Sequence, residues 1–211
     1  HSGAVRGSVG CTDQGQGTLT GIAQVVGDQL GIGMDRIDVI AGDSATTPYG
    51  GGAWASRGMA MGGEAALQAG KALKANILEL MVTRHHVPDT PYYVANGVQG
   101  AHVEVDIETG FIKLLGWWAA DDCGRVVNPM MVDEQIRGGI IQGIGNTLYE
   151  HCQYDETGQL LNASLADYLL PMAGEMPDIR IAHVETPIGT TELGANGIGE
   201  AGTIGAIAAM W

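Results

Sequence analysis

The stretch AHVEVDIETGFIKLLGWWA, residues 101–119, carries the first decision about the fold. Ala101, Val103, Val105 and Ile107 alternate with His102, Glu104 and Asp106, the two-residue period of a strand with one face covered. Glu108-Thr109-Gly110 supplies a turn, and Phe111 to Ala119 returns, so the stretch predicts a β-hairpin. Downstream, Pro129 opens a predicted helix that runs to about Glu150, with Val132, Ile136, Ile140 and Ile144 inward. Upstream, a helix is expected over roughly 59–83, with Ala65, Ala66, Ala69, Leu73, Ile77 and Leu80 on one face. Ile22, Val25, Val26 and Leu30 place another helix over 18–30, stopped by Gly31 or Gly33. Ala4–Gly10, Ile37–Ile40 and Ile179–Val184 read as strands, and the apolar run that Glu200 begins reads as a short helix. No linker and no repeat interrupts this alternation. The expectation is one α+β unit over residues 1–211, with mixed sheets and packed helices.

Composition narrows the function. The formal net charge is −14 and only ten residues are Lys or Arg, which excludes nucleic acid and an anionic membrane surface as partners. No apolar run approaches the roughly 20 residues of a membrane helix. Cys11, Cys123 and Cys152 are odd in number and widely spaced, so cysteines hold neither zinc nor an iron–sulfur cluster here; three reduced thiols suit a cytoplasmic protein. The chain starts with His1 rather than Met and stops at Trp211 inside an apolar run, so both ends read as cuts in a longer chain. Glycine, at 34 of 211 residues, is clustered rather than periodic, which suggests loops lying against a large ligand, with tight turns as the plainer explanation of any one cluster.

Four segments could carry chemistry. Gln14-Gly15-Gln16-Gly17-Thr18 precedes a helix, where backbone N–H groups can meet an anion; it is neither a Walker loop nor a dinucleotide fingerprint, and alone it is best read as a turn. Gly52-Ala53-Trp54-Ala55-Ser56-Arg57-Gly58 lets a ligand approach and offers a hydroxyl, or else Ser56 caps the next helix. Gln142 lies in an apolar, Gly-rich helix; a buried amide left without partners costs about 1–3 kcal/mol, so it bonds either a polar ligand or, more commonly, neighbouring backbone. Glu200 stands among glycine, alanine and isoleucine. Burial there would raise its pKa and suit it to general-base work, whereas a helix-terminal Glu stabilised by the dipole is the plainer alternative.

Taken in order, these segments resemble the molybdopterin-binding large subunit of the xanthine dehydrogenase, aldehyde oxidase and carbon monoxide dehydrogenase family, in its carboxy-terminal part. The likeness runs from about Val9 to Met210. It includes Asp122-Cys123-Gly124-Arg125-Val126-Val127-Asn128-Pro129, Gln142-Gly143-Ile144-Gly145, Asp167-Tyr168-Leu169-Leu170-Pro171 and Gly199-Glu200-Ala201-Gly202-Thr203. The resemblance implies that Gln14, Gly15, Gln16, Trp54, Ala55, Ser56, Gln142 and Gly199 contact a molybdopterin-type molybdenum cofactor, whose own dithiolene holds the metal so that no protein ligand is needed. It implies that Glu200 is the base in a reaction that inserts water-derived oxygen at an electron-poor carbon of a small molecule such as an aldehyde or N-heterocycle.

The resemblance also implies partners: the upstream portion of the same subunit, and iron–sulfur (2Fe-2S) and flavin (FAD) subunits or domains. Family members often carry Lys at the position of Asn196. Because the upstream Gly-rich segments are absent, the chain alone is expected to be catalytically incomplete. Two other readings compete: a non-catalytic binding or structural module derived from this fold, which metal analysis separates from an enzyme, and a phosphate binder using Gly15 to Thr18, which nucleotide titration tests.

Overall fold

The computed structural model describes residues 3–76, 82–88 and 93–211. Close packing divides the chain into two compact units, neither a continuous stretch. Unit 1 takes residues 1–95, 122–132 and 184–198; unit 2 takes residues 96–121, 133–183 and 199–211.

Unit 1 is built on a β–α–β arrangement. Strands β1 (Val5–Val9) and β2 (Ile37–Ala41) pair in parallel, Val5 opposite Ile37, and helix α1 (Thr18–Leu30) lies between them in sequence. Two parallel neighbours need a crossover, and α1 supplies it. Gly31 ends α1 in the left-handed conformation (φ 70°), and its N–H donates to Gly27 O at 2.8 Å, as a helix stop at that glycine requires. Ile22 and Val25 of α1 pack with Cys11, Ala66, Leu67, Leu193 and Ala195 to form the core.

The next helix departs from its expected form. Gly58–Gly63 winds as a π-helix, and helix α2 proper spans Glu64–Ala75, closed by Asn76, whose N–H reaches Ala72 O. Gly62 and Gly63 are poor α-helix formers, and they let Cys11, Leu193 and Met59 approach closely, which accounts for the wider turn. Residues 82–88 are not helical, so the expected helix over 59–83 is shorter than its periodicity suggests. Ile77 and Leu80, part of its expected face, lie outside the described residues.

Unit 2 holds a three-stranded sheet in the order β3-β4-β5. Strands β3 (Asn96–Val105) and β4 (Ile112–Asp122) form the hairpin; Asp106 N–H donates to Phe111 O and Gly110 N–H to Asp106 O across the turn. Strand β5 (Ile179–His183) adds in parallel, Trp117 opposite Ile179, so the sheet is mixed. Along β4, Trp117 and Ala119 are buried while Trp118 is exposed, the alternation of a strand with one covered face.

Helix α3 (Pro129–Leu148) buries Ile136, Ile140 and Ile144, and helix α4 (Ala201–Met210) packs on both β3 and α3. The α3–α4 contact is a glycine seam. A side-chain carbon added at Gly202 would stand 2.7 Å from Ile136 O, and one at Gly143 would stand 2.6 Å from Ala206 Cβ. Beyond α3, Tyr168 Oη donates to Glu150 Oε2 at 2.5 Å, a bond that pushes the phenol up to about 12 and ties the Asp167–Pro171 segment back to the end of the helix.

Asp121 and His183 are register partners at the ends of β4 and β5. His183 Nε2 lies 2.6 Å from Asp133 Oδ1. Asp121 is 1% exposed, and its Oδ2, like His183 Nδ1, is buried without a hydrogen-bond partner. Burial pushes the Asp121 carboxyl above its usual value, against a smaller opposing pull from His183.

Two stability predictions follow from this packing. Gly143→Val should lower stability by about 1–3 kcal/mol through overpacking of the α3–α4 seam. Gly138→Ala, which meets nothing within 4 Å, should leave it unchanged or slightly raised, and thermal melts of the two variants check this. Because the folded protein binds the Asp121 proton more tightly than the unfolded chain does, this group's contribution falls as pH rises from the usual carboxylate range through the elevated folded value. Asp121→Asn should therefore melt above the parent near neutral pH, with the difference shrinking on acidification toward pH ~4.

Candidate cofactor site

In unit 1 the Gln14–Gly17 loop is organised by Asp13, a residue the sequence reading passed over. Asp13 Oδ1 accepts the Gly15 N–H at 2.8 Å and Oδ2 accepts the Leu19 N–H at 3.0 Å. Burial opposes ionisation of this carboxyl, but the N–H groups of Leu19, Gly15, Gly17 and Thr18 together outweigh it and hold the group below its usual range. The N-terminus of α1 is thus already served by a carboxylate of the chain, which weighs against a free anion site there. Gln16 is half-buried; its Oε1 accepts the Gln14 N–H at 2.6 Å, and its Nε2 donates to Thr12 O at 3.4 Å. Gln14 and Gly15 are exposed.

The Gly50–Arg57 loop is held by its own side chains. Arg57 Nη2 donates to Gly50 O at 2.7 Å, its guanidinium lies 5.1 Å from the Trp54 ring centroid, and Trp54 Nε1 donates to Gly51 O at 3.0 Å. The sequence assigns Arg57 no role within the Gly52–Gly58 segment, because a lone Arg in a Gly-rich loop carries no periodic signal. Ala55 and Ser56 take left-handed backbone angles, φ 49° and 54°, which are strained for residues with a side chain. Such strain persists only where surroundings enforce it and is common at ligand sites. Ser56 does not act as a helix cap. Its Oγ is buried without a hydrogen-bond partner, and Ser56 sits directly against Gly197, where no side chain would fit.

The segment leading to Gly197 is pinned throughout. Leu193 N–H donates to Glu64 Oε2 at 2.7 Å, Gly194 O accepts the Arg125 N–H at 2.9 Å, and Asn196 N–H donates to Cys123 O at 2.6 Å. Asn196 Oδ1 is a second buried oxygen without a partner. Two buried polar atoms lacking partners, beside a strained Ala-Ser pair and a bare glycine, fit a large polar ligand that would satisfy them. Among the described residues, no three His, Cys, Asp or Glu side chains cluster as a metal site.

Unit 2 holds the remaining site residues. Glu200 is the N-cap residue of α4; its carbonyl accepts the Ile204 N–H at 3.1 Å. It is exposed rather than buried, because its small neighbours cover little of a side chain at the start of a helix. Gln142 is also exposed and has no hydrogen-bond partner among the described residues, so the buried amide expected there is absent. The glutamine that meets this segment is Gln135, whose Nε2 donates to Gly199 O at 3.1 Å. Gln135 and Gln142 lie seven residues, about two turns, apart on α3, so periodicity alone could not separate them.

This chain belongs to the molybdopterin cofactor-binding domain family, which it matches over residues 1–90 and 81–177. Among curated relatives it is 32% identical to the nicotine 6-hydroxylase large subunit of Paenarthrobacter nicotinovorans, over 99% of this chain and 32% of that protein. It is 29% identical to the carbon monoxide dehydrogenase large chain of Afipia carboxidovorans, over 98% of this chain and 32% of that one. Among solved structures it superposes on the Cu,Mo-CO dehydrogenase in its carbon-monoxide-reduced state with a TM-score of 0.85 and 27% identity, over 95% of this chain and 31% of that one. Quinoline 2-oxidoreductase from Pseudomonas putida 86 gives a TM-score of 0.82 and 32% identity, over 95% of this chain and 32% of that one. The chain thus spans about a third of the length of the relatives it matches. Among the described residues no helix is long and apolar enough to cross a membrane.

Ser56→Gly should relieve the left-handed strain and stabilise the cofactor-free protein by about 1 kcal/mol, while lowering its retention of molybdenum cofactor. Urea midpoints and molybdenum analysis of the same variant check both halves of this expectation.

Proposed function

We propose that this chain is the carboxy-terminal part of the molybdenum subunit of a hydroxylase that inserts water-derived oxygen at an electron-poor carbon, with Glu200 as the general base. The observation that carries the reading is the match of 99% of this chain to about a third of the large subunit of a nicotine hydroxylase, together with a glutamate at the N-cap of α4. The family likeness assigns cofactor contacts to Gln14, Gly15, Gln16, Trp54, Ala55 and Ser56 in unit 1 and to Gln142 and Gly199 in unit 2. The Ser56 Oγ and Asn196 Oδ1 atoms without partners support the unit 1 half of that set, and the uncommitted amide of Gln142 supports its inclusion.

When bound, the molybdenum cofactor supplies the two-electron redox centre for oxygen insertion. The chain's own residues do the rest. Ser56 and the Gly-rich loops bind and orient, and Glu200 accepts the proton that the attacking oxygen must lose. The substrate class is a small aldehyde or N-heterocycle. The upstream part of the subunit completes the cofactor shell, and 2Fe-2S and FAD modules carry electrons away. A reducing, cytoplasmic setting fits three cysteines that form no disulfide, Cys11, Cys123 and Cys152, the last of them exposed. The exposure of Glu200 favours one competing reading, a non-catalytic module in which Glu200 only complements the α4 dipole.

Glu200→Gln in the assembled enzyme separates the two. A base at this position predicts a drop in turnover of at least about 10²-fold with cofactor content intact. A dipole partner predicts near-normal turnover and a stability loss of roughly 0.3–1 kcal/mol. Molybdenum content, melting temperature and turnover measured on one preparation decide between them.

A further inference from the structure

The carbonyls that follow Glu200 are gripped by a side chain from the sheet. Gln99 of β3 donates from Nε2 to Ala201 O at 3.3 Å and to Gly202 O at 3.0 Å. Both carbonyls belong to the first turn of α4, the turn that Glu200 caps. The other end of the same amide is also engaged, because Trp117 Nε1 donates to Gln99 Oε1 at 3.2 Å. An indole N–H can only donate, so Oε1 must face Trp117 and Nε2 must face the carbonyls. Trp117 is 0% exposed, which fixes the indole and with it the amide. Gly205, one helical turn further along α4, leaves the room that Gln99 occupies; a side-chain carbon there would stand 2.5 Å from Gln99 Nε2. From the other side of Glu200, Gln135 holds Gly199 O. The Glu200 side chain is exposed and has no hydrogen bond among the described residues, so its position depends on the backbone that carries it.

We propose that Gln99 is a positioning residue for Glu200: oriented by Trp117, it fixes the first turn of α4 and hence where the Glu200 carboxylate stands. This rests on the reading of Glu200 as the base. A carboxylate on a short helix end could sample several placements as the turn frays. A misplacement of about 1 Å can cost on the order of 10²-fold in rate. Gln99 sits where that fraying would begin, and it bonds backbone rather than substrate, so its loss should act on the chemical step and leave binding alone.

The test uses the assembled molybdenum enzyme carrying Gln99→Met, Gln99→Glu, Trp117→Phe, Glu200→Gln, or Gln99→Met with Glu200→Gln. The first readout is independent of activity: hydrogen exchange over residues 199–206. Gln99→Met should speed it by roughly tenfold or more, with exchange in β1 and α1 unchanged. In turnover, Gln99→Met should lower kcat about 10- to 100-fold with KM within about twofold. Gln99→Glu keeps the acceptor for Trp117 but loses the donor, and should do the same. Trp117→Phe frees the amide to turn and should fall between Gln99→Met and the parent. In the Glu200→Gln background, Gln99→Met should cause no further loss, because the group it positions is already disabled.

Unchanged exchange, a kcat loss that persists at full size without Glu200, or a Gln99→Met protein that unfolds or loses molybdenum would each assign Gln99 a general structural role and overturn the proposal. Normal turnover in Gln99→Met while Glu200→Gln is inactive overturns the positioning role alone. Normal turnover in Glu200→Gln itself removes Glu200 as the base, and the positioning role with it.

Discussion

One hydrogen bond between distant parts of the sequence sets the course of the site-bearing segment. Glu64 is 2% exposed on α2, and its Oε2 accepts the backbone N–H of Leu193 at 2.7 Å. Gln68 Nε2 donates to its other oxygen at 3.0 Å, and Lys71 of the same helix is ion-paired with Glu192. A buried acceptor left without its donor costs about 1–3 kcal/mol, so Leu193 is held where α2 dictates. From that anchor the chain runs through Gly194, which bonds Arg125, and Asn196, which bonds Cys123, to Gly197 against Ser56. The strained backbone of Ala55 and Ser56 is kept in place by this fixed wall on one side and by Arg57 on the other.

The glycines of this chain act through what they omit. At Gly202 and Gly143 the omission lets α3 and α4 approach to backbone contact, and at Gly205 it admits a glutamine side chain. A short, apolar helix such as α4 has little intrinsic stability, and most of its order must come from the surfaces it packs on. Glu200 stands at the start of that helix. The chemistry proposed for it therefore depends on the α3 seam and on the amide of Gln99, neither of which touches a reacting atom.

Much of the fold was legible because it rests on local periodicity. Ile22 and Val25 at helical spacing, and Pro129 followed by Ile136, Ile140 and Ile144, each report a buried face, and α1 and α3 form where those patterns lie; the alternation Ala101–Ile107 marks the hairpin strand β3, although Val105 and Ile107 stay exposed. The expected helix over 59–83 is too long because apolar spacing continues past Asn76, at Ile77 and Leu80, while α2 ends at Ala75, and because a π-helical turn at Gly58–Gly63 leaves no periodic mark. Family likeness was legible from the order of the Gly-rich segments, since a loop shaped around a ligand constrains residue types one after another.

What the sequence by itself determined is the set of elements and the kind of chemistry available: which stretches bury a face, which loops admit a ligand, and a lone carboxylate before an apolar helix. Tertiary structure alone decided which polar groups are satisfied. Gln135 rather than Gln142 meets the Glu200 segment, Glu200 is exposed rather than buried, and Ser56 has no partner for its hydroxyl while Gln99 has partners for both ends of its amide. The physical reason is that hydrophobic burial is written in residue spacing along one element. A hydrogen bond depends on distance and direction between atoms of two elements, and these are fixed only when the elements pack.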